Sequence, residues 1–189
     1  MTRDYEGRRR LLRGAIGLGL GLMVGPAREE PGREGQTMTF ELHSGAFRNG
    51  EPIPPRHTCQ GENISPPLAW SGAPAGTRGF ALICYDPDAP GRTFYHWAVF
   101  GLPADRAELP ERLPKGAPGL HQAVNDFGAA GYGGPCPPPG HGIHHYHFEL
   151  LALSVPALQV PPGAGALEVQ AAAKRHLLAR AELIGLYSR

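Results

Sequence analysis

The sequence predicts a mostly β domain, on three observations. Short apolar runs, "GFALICYD", "HWAVFGL" and "YHFELLALSV", stand well apart along the chain. Glycine and proline, 27 and 21 of the 189 residues, fill the intervals as turns and loops. One stretch alone, "GALEVQAAAKRHLL", has alanine-rich helical character. The length suits a single domain able to bury a core.

In chain order, residues 1–37 are set apart and the domain is placed at 38–189. Arg8 to Arg13 form a basic region, Gly14 to Gly25 a weakly apolar run, and Ala27 a small residue after it. That order suits an export signal with a signal-peptidase cut, and "RRRLLR" resembles the twin-arginine motif. The competing reading begins translation at Met38, which opens "MTFELHSGAF", and leaves the protein cytoplasmic. Export to the periplasm is preferred, because basic, apolar and small residues rarely fall in this order by accident.

Thr39–Leu42 alternates and suits a first strand. "NGEPIPPRHTCQGENISPPLAW" is proline-rich, hence extended loop with short strand pieces. Phe80–Asp86 reads as a buried strand, Pro87–Thr93 as a loop, and His96–Leu102 as the next buried strand. Residues 103–140 are mostly irregular, and so long a loop in a compact domain is usually functional. His144–Val155 reads as a long strand. The helix follows over 165–178, with Lys174, Arg175 and His176 in its final turns, where cations favour the dipole. Arg180–Arg189 closes the chain as a strand.

Charge narrows the function. The net charge is +1; residues 1–37 hold seven arginines and five acids, which leaves the body at −1. A nucleic-acid footprint is absent, and any anion site must be local. The body has no apolar run of spanning length, so no stable membrane insertion is expected. Three cysteines without a CxxC argue against a cysteine zinc site. Cys84 reads as a buried small hydrophobe; in an oxidising compartment Cys59 and Cys136 can pair.

Chemistry concentrates in two places. Asp86 and Asp88 flank Pro87 at the end of a strand, with Pro90 closing the turn; alone they read as turn residues. His96 opens the next apolar strand, and alternation places it with Ala98 and Phe100, opposite Trp97 and Val99. Farther on, His141, His144, His145 and His147 fall within seven residues. Strand periodicity groups His144, Tyr146, Phe148 and Leu150 on one face, with His145, His147, Glu149 and Leu151 on the other. The second group reads as a solvated outer face, with chelation by His145, His147 and Glu149 as its sharper alternative. Gly140 and Gly142 let the backbone approach a ligand.

Asp86, His96, His144 and Tyr146 can converge on one pocket. Two imidazoles and a phenol can donate to an anion, and a carboxylate beside a histidine raises its pKa and favours the cation. No nucleophile motif and no phosphate-binding GxxxxGK[ST] is present. The pattern reads as recognition before catalysis, with neither a cofactor nor a metal called for.

"ENISPPLAW", "YDPDAP", "YHWAVFGLP" and "PPPGHGIHHYHFELLAL", in this order, resemble the phosphatidylethanolamine-binding protein (PEBP) family, most of all its bacterial Raf kinase inhibitor-like branch. The resemblance covers Met38 to Arg189. It implies a Greek-key β-sandwich of two antiparallel sheets with a C-terminal helix, and a small pocket for phosphate-like or phosphorylated ligands. By motif position Asp86, His96, His144, Tyr146 and Pro138 are ligand-binding residues, supported by Asp88, Pro90, Phe94 and His145. The family's turn also implies a cis Ala89–Pro90 bond. His145 stands where the family has arginine, Pro139 where it has lysine and Phe94 where tryptophan is usual. His145 is then expected to hold Asp88 only while protonated.

The expected function is binding of a small phosphorylated ligand, with modulation of a kinase or protease as the role the resemblance suggests. Two rivals are a histidine-assisted hydrolase or phosphatase and a protein-interaction module using the 103–140 loop.

Overall fold

The structure, a computed structural model, describes residues 39–189. The export and start-site readings of residues 1–37 lie outside the described residues. Nine strands and one helix follow in the order β1 (Glu41–Ser44), β2 (Glu51–Pro52), β3 (Leu68–Ser71), β4 (Gly79–Asp86), β5 (Phe94–Pro103), β6 (Glu108–Leu109), β7 (His121–Gln122), β8 (His144–Leu153), α1 (Ala166–Lys174) and β9 (Leu177–Tyr187). The proline-rich stretch before β3 holds only a single 3-10 turn, Pro55–His57, and the two-residue β2. Proline can neither donate to a ladder nor continue a helix, so little regular structure forms there.

A six-stranded sheet in the order β2-β9-β8-β4-β5-β7 carries the domain, and a three-stranded sheet, β1-β3-β6, covers one face. All pairings are antiparallel except β2 with β9. The apolar rows of β4 and β8 sort to two cores as period two requires. Phe80, Leu82, Cys84, Tyr146, Phe148 and Leu150 fill the space between the sheets. Ala81, Ile83, Leu151 and Leu153 pack on the other face against Val169 and Ala173 of α1. Cys84 is free and buried, as expected of a small hydrophobe.

The helix is shorter than its sequence suggests. Arg175 caps it, and Leu177 turns back to pair with Leu153. The strand ladder on β8 claims Leu177 and Ala179, opposite Leu153 and Ala152, so only Lys174 of the three expected cations lies in the helix. At its start, the Gly165 N–H donates to Glu168 Oε2 at 2.8 Å, half of a capping box.

His96 departs from simple alternation. Cys84 opposes Trp97, but the next residue, Tyr85, opposes Tyr95, so His96 is the extra residue of a β-bulge. Tyr95 and Ala98 therefore both pack toward α1, while Trp97 and Val99 face the inter-sheet core. His96 turns to the same side, edge-on to Tyr146 at 5.2 Å. The expected grouping of His96 with Ala98 and Phe100 is corrected: the bulge re-aims the histidine at the face that carries Tyr146.

Candidate functional site

Three segments meet at one end of the inter-sheet core. The β4–β5 turn brings Asp86, Ala89, Pro90, Phe94 and His96; the start of β8 brings His144 and Tyr146; the loop before it brings Phe127, Cys136, Pro137 and Pro138. Together they line a cavity of about 180 Å³. A larger groove of about 700 Å³ runs elsewhere, past Lys115, His121 and Pro161, away from the convergent polar groups. The smaller cavity is the better candidate, because the buried titratable side chains Asp86, His96, His144 and Tyr146 converge on it.

The carboxylate comes first. Asp86 is buried at the last position of β4. Its Oδ1 accepts the Asp88 N–H at 2.8 Å, which closes the turn around Pro87. Every described peptide bond is trans, Ala89–Pro90 included. The expected cis bond is corrected: the Asp86 side chain makes the turn's closing contact, and a trans bond is the ordinary choice before proline. Asp86 Oδ2 accepts from His144 Nδ1 at 2.7 Å, with both side chains buried. The other ring nitrogen of His144, Nε2, lies 2.7 Å from His141 Nδ1.

His96 is fixed differently. Its Nδ1 lies 2.7 Å from the Gly133 carbonyl, which can only accept, so Nδ1 carries the proton and only Nε2 is left for a ligand. Burial pushes the His96 pKa below its ordinary value, outweighing the Gly133 carbonyl and the nearby Asp86. The expectation of a cationic histidine is thus corrected for His96: desolvation dominates, and the ring is a neutral acceptor near pH 7. The Tyr146 hydroxyl is buried and makes no hydrogen bond of normal geometry among the described residues, although the Asp86 carboxylate lies near enough to act on it. Burial, then the Asp86 carboxylate, hold its pKa well above the ordinary tyrosine value, so it remains a donor.

Asp88 and His145 sit outside this cavity, exposed on the strand's other face. Asp88 Oδ2 accepts from both the backbone N–H and the ring Nδ1 of His145, at 2.8 and 2.7 Å. Burial pushes the Asp88 carboxyl up, but these two bonds, together with the charge interactions of His145 and His144, more than offset it and hold it below its usual pKa. Either a neutral His145 with its proton on Nδ1 or a protonated one makes these contacts. The chelating alternative also dissolves. His145 turns to Asp88, His147 bonds Glu182 at 2.9 Å, and Glu149 accepts from Gln170 at 3.0 Å. Glu149 is not on a solvated face either; α1 covers it, and it is 3% exposed.

Of the expected ligand-binding residues, Asp86, His96, His144, Tyr146 and Pro138 all line the one cavity, as do Pro90 and Phe94. Four participants were not singled out from sequence: Gly133, Phe127, Cys136 and, as a partner of His144, His141. Phe127 lies 4.7 Å from Phe94 and 5.5 Å from His96, ring centre to ring centre, and forms an aromatic wall although it is 51% exposed. Asn125 holds that loop: its Oδ1 accepts from Phe127 and Ala129, and its Nδ2 donates to Gly131 O. An aromatic residue in the glycine-rich segment "NDFGAAGYGG" was the available signal. A side chain at Gly133 would put its Cβ 2.5 Å from the Phe127 ring, so the wall needs glycine there. Cys136 is bonded to Cys59, with Cα atoms 5.4 Å apart, and ties the wall to the loop before β3.

The family model described as phosphatidylethanolamine-binding protein matches residues 43–188. The chain belongs to the phosphatidylethanolamine-binding protein family. It is 50% identical over 152 residues to a UPF0098 protein of Aquifex aeolicus, covering 79% of this chain and 89% of that one. It is 38% identical to UPF0098 protein YbcL of Escherichia coli, covering 80% and 89%. The crystal structure of E. coli YbcL, described as a new member of the mammalian PEBP family, superposes with a TM-score of 0.75 at 37% identity, covering 79% of this chain and 98% of that one. A PEBP homolog from Chlamydia trachomatis gives a TM-score of 0.72 at 35% identity, covering 80% and 99%. The two-sheet, one-helix architecture is therefore the PEBP fold, although the helix precedes the final strand instead of ending the chain. Among the described residues no helix is long and apolar enough to cross a membrane.

Proposed function

We propose that this PEBP-family protein binds a small phosphate-bearing ligand in the cavity between Asp86, His96 and Tyr146. The observation that carries this reading is the Tyr146 hydroxyl, buried and without a hydrogen bond of normal geometry among the described residues, in a cavity also lined by His96, whose Nδ1 is held by Gly133 and whose Nε2 remains for a ligand. Buried polar groups are almost always paired, and an orphan at a cavity wall asks for a ligand. The pair offers one donor and one acceptor. A hydrogen phosphate matches both: a P–O⁻ oxygen accepts from Tyr146, and a P–OH donates to His96.

The hydrolase reading has no observation in its favour. The cavity's one cysteine, Cys136, is held in a disulfide, and His145, His147 and Glu149 serve separate partners. The interaction reading is not independent of the pocket, since the 103–140 segment supplies Phe127, Cys136 and Pro138 to its wall. A kinase or protease docking on that segment would sense whether the cavity is filled, and modulation of such an enzyme is the downstream role proposed. The Cys59–Cys136 bond supports an oxidising compartment, in keeping with an exported protein.

The test is an NMR titration of the His96 imidazole with inorganic phosphate and with phosphorylethanolamine. Saturable shifts are expected, and Tyr146→Phe should need about tenfold more ligand to reach them. No response of His96 at millimolar ligand would remove the reading.

A further inference from the structure

His144 is a pocket residue with no nitrogen to offer. Nδ1 faces a carboxylate oxygen of Asp86 and therefore carries a proton. Nε2 meets His141 Nδ1 at 2.7 Å, and whichever ring holds the shared proton, the atom is engaged. His144 itself is 1% exposed and cannot turn away from Asp86 without burying an unpaired carboxylate. His141 has no such constraint. It is exposed, and its ring meets its neighbour edge-on at 5.0 Å. It stands between Gly140 and Gly142, both at positive φ, 76° and 95°, with open space on their side-chain sides. Its backbone is anchored, by its own N–H to Pro138 O at 3.1 Å and by the Gly140 N–H to Arg189 O at 2.8 Å. Rotation about the side-chain bonds alone can therefore free His144 Nε2.

We infer that His141 is a displaceable occupant of the phosphate site: it holds His144 Nε2 in the free protein, and the ligand expels it and takes its place. This rests on the phosphate reading of the cavity. Once His141 leaves, His144 Nε2 is free beside the cavity that His144 and His96 both line. A phosphate group can then engage Tyr146, His96 and His144 together. His141 thereby sets affinity by competition, since a ligand must offer His144 more than the second imidazole does. It is a positioning residue and not part of the cavity wall.

The experiment compares the full chain with His141→Ala, an exposed substitution remote from both cores. Inorganic phosphate is titrated while the imidazole signals of His96, His141 and the exposed His43 are followed. The variant is expected to bind roughly fivefold more tightly, the size of one net hydrogen bond, and to lose no more stability than that one bond supplies. In the unsubstituted chain the His141 signals should move toward those of His43 in step with the His96 shift. Saturable binding with His141 unmoved, or equal or weaker binding by the variant, overturns the displacement and leaves the phosphate pocket standing. If His96 responds in neither protein, the pocket reading itself falls, and the displacement with it.

Discussion

His96 Nδ1 donates to the Gly133 carbonyl across 2.7 Å, and that single bond decides what the pocket can recognise. It fixes the tautomer, leaves Nε2 as an acceptor, and joins the β4–β5 bulge to the far wall of the cavity. Under the proposed function, a neutral histidine opposite a phenol would select among oxyanions by their hydrogens as well as by their charge.

Inorganic phosphate should therefore bind more tightly than sulfate at pH 7, by about tenfold, the worth of one hydrogen bond at a buried site. Sulfate has no hydrogen to give His96. The gap should close as pH falls and His96 is protonated, and isothermal calorimetry with both anions at pH 7.5 and 5.5 would show it. Equal affinities at pH 7.5 would mean that Nε2 does not contact the ligand.

Tyr146→Phe should separate stability from binding. The hydroxyl is buried without a hydrogen bond of normal geometry, so its removal should leave the free protein unchanged or more stable by up to about 1 kcal/mol. Phosphate affinity should fall about tenfold at the same time. Urea unfolding with and without phosphate reads both effects, and a clear destabilisation of the free protein would reveal a partner for the hydroxyl.

The burial of neutral His96 makes stability pH-dependent in a defined direction. Its folded pKa lies below the ordinary 6.5, so the unfolded chain binds the proton more readily. No penalty exists well above that pH. Stability is lost as pH falls through it, by at most about 1.4 kcal/mol per pH unit for one proton. His96→Gln should flatten this part of the profile between pH 7.5 and 5.5. A profile unaltered by the substitution would show that His96 does not titrate anomalously.

Asp86→Ala removes the acceptor of both the Asp88 N–H and His144 Nδ1 in a buried setting. A loss of about 3 kcal/mol is expected, the usual scale for breaking a buried charged pair. Asp88→Ala, at an exposed and solvent-screened site, should cost under about 1 kcal/mol. Chemical denaturation of the two variants side by side checks the order, and comparable losses would place the two acids on the same footing.

Replacing both Cys59 and Cys136 by alanine opens a link between residues 77 apart in sequence. A loss of about 2–4 kcal/mol is expected from chain entropy alone. Differential scanning calorimetry measures it. Phosphate binding by the folded variant should weaken as well, since Cys136 belongs to the cavity wall.

The strands of the large sheet were legible because β4 and β8 carry apolar residues on both faces in runs too short for free-standing helices. The faces of β8 were legible too, since nothing interrupts its alternation between His144 and Ala152. The side to which His96 points was not, because a bulge is a property of two strands in register and leaves no mark on one of them. The helix end was misplaced for a related reason: Leu177 and Leu178 suit a helix locally, and the β8 ladder claims Leu177 first.

By itself the sequence determined the mostly β class and the convergence of Asp86, His96, His144 and Tyr146, which follow from residue type and spacing, while the family resemblance added Pro138, Pro90 and Phe94. Only the tertiary structure decided how those residues act. It made His96 neutral by burying it, left the Tyr146 hydroxyl without a hydrogen bond of normal geometry, and engaged both nitrogens of His144. It also gave Asp88 a contact with His145 that needs no charge. Protonation and hydrogen-bond satisfaction depend on what lies within a few ångströms, and at this site the deciding neighbours, Gly133, Phe127 and His141, come from a loop whose conformation residue spacing does not encode.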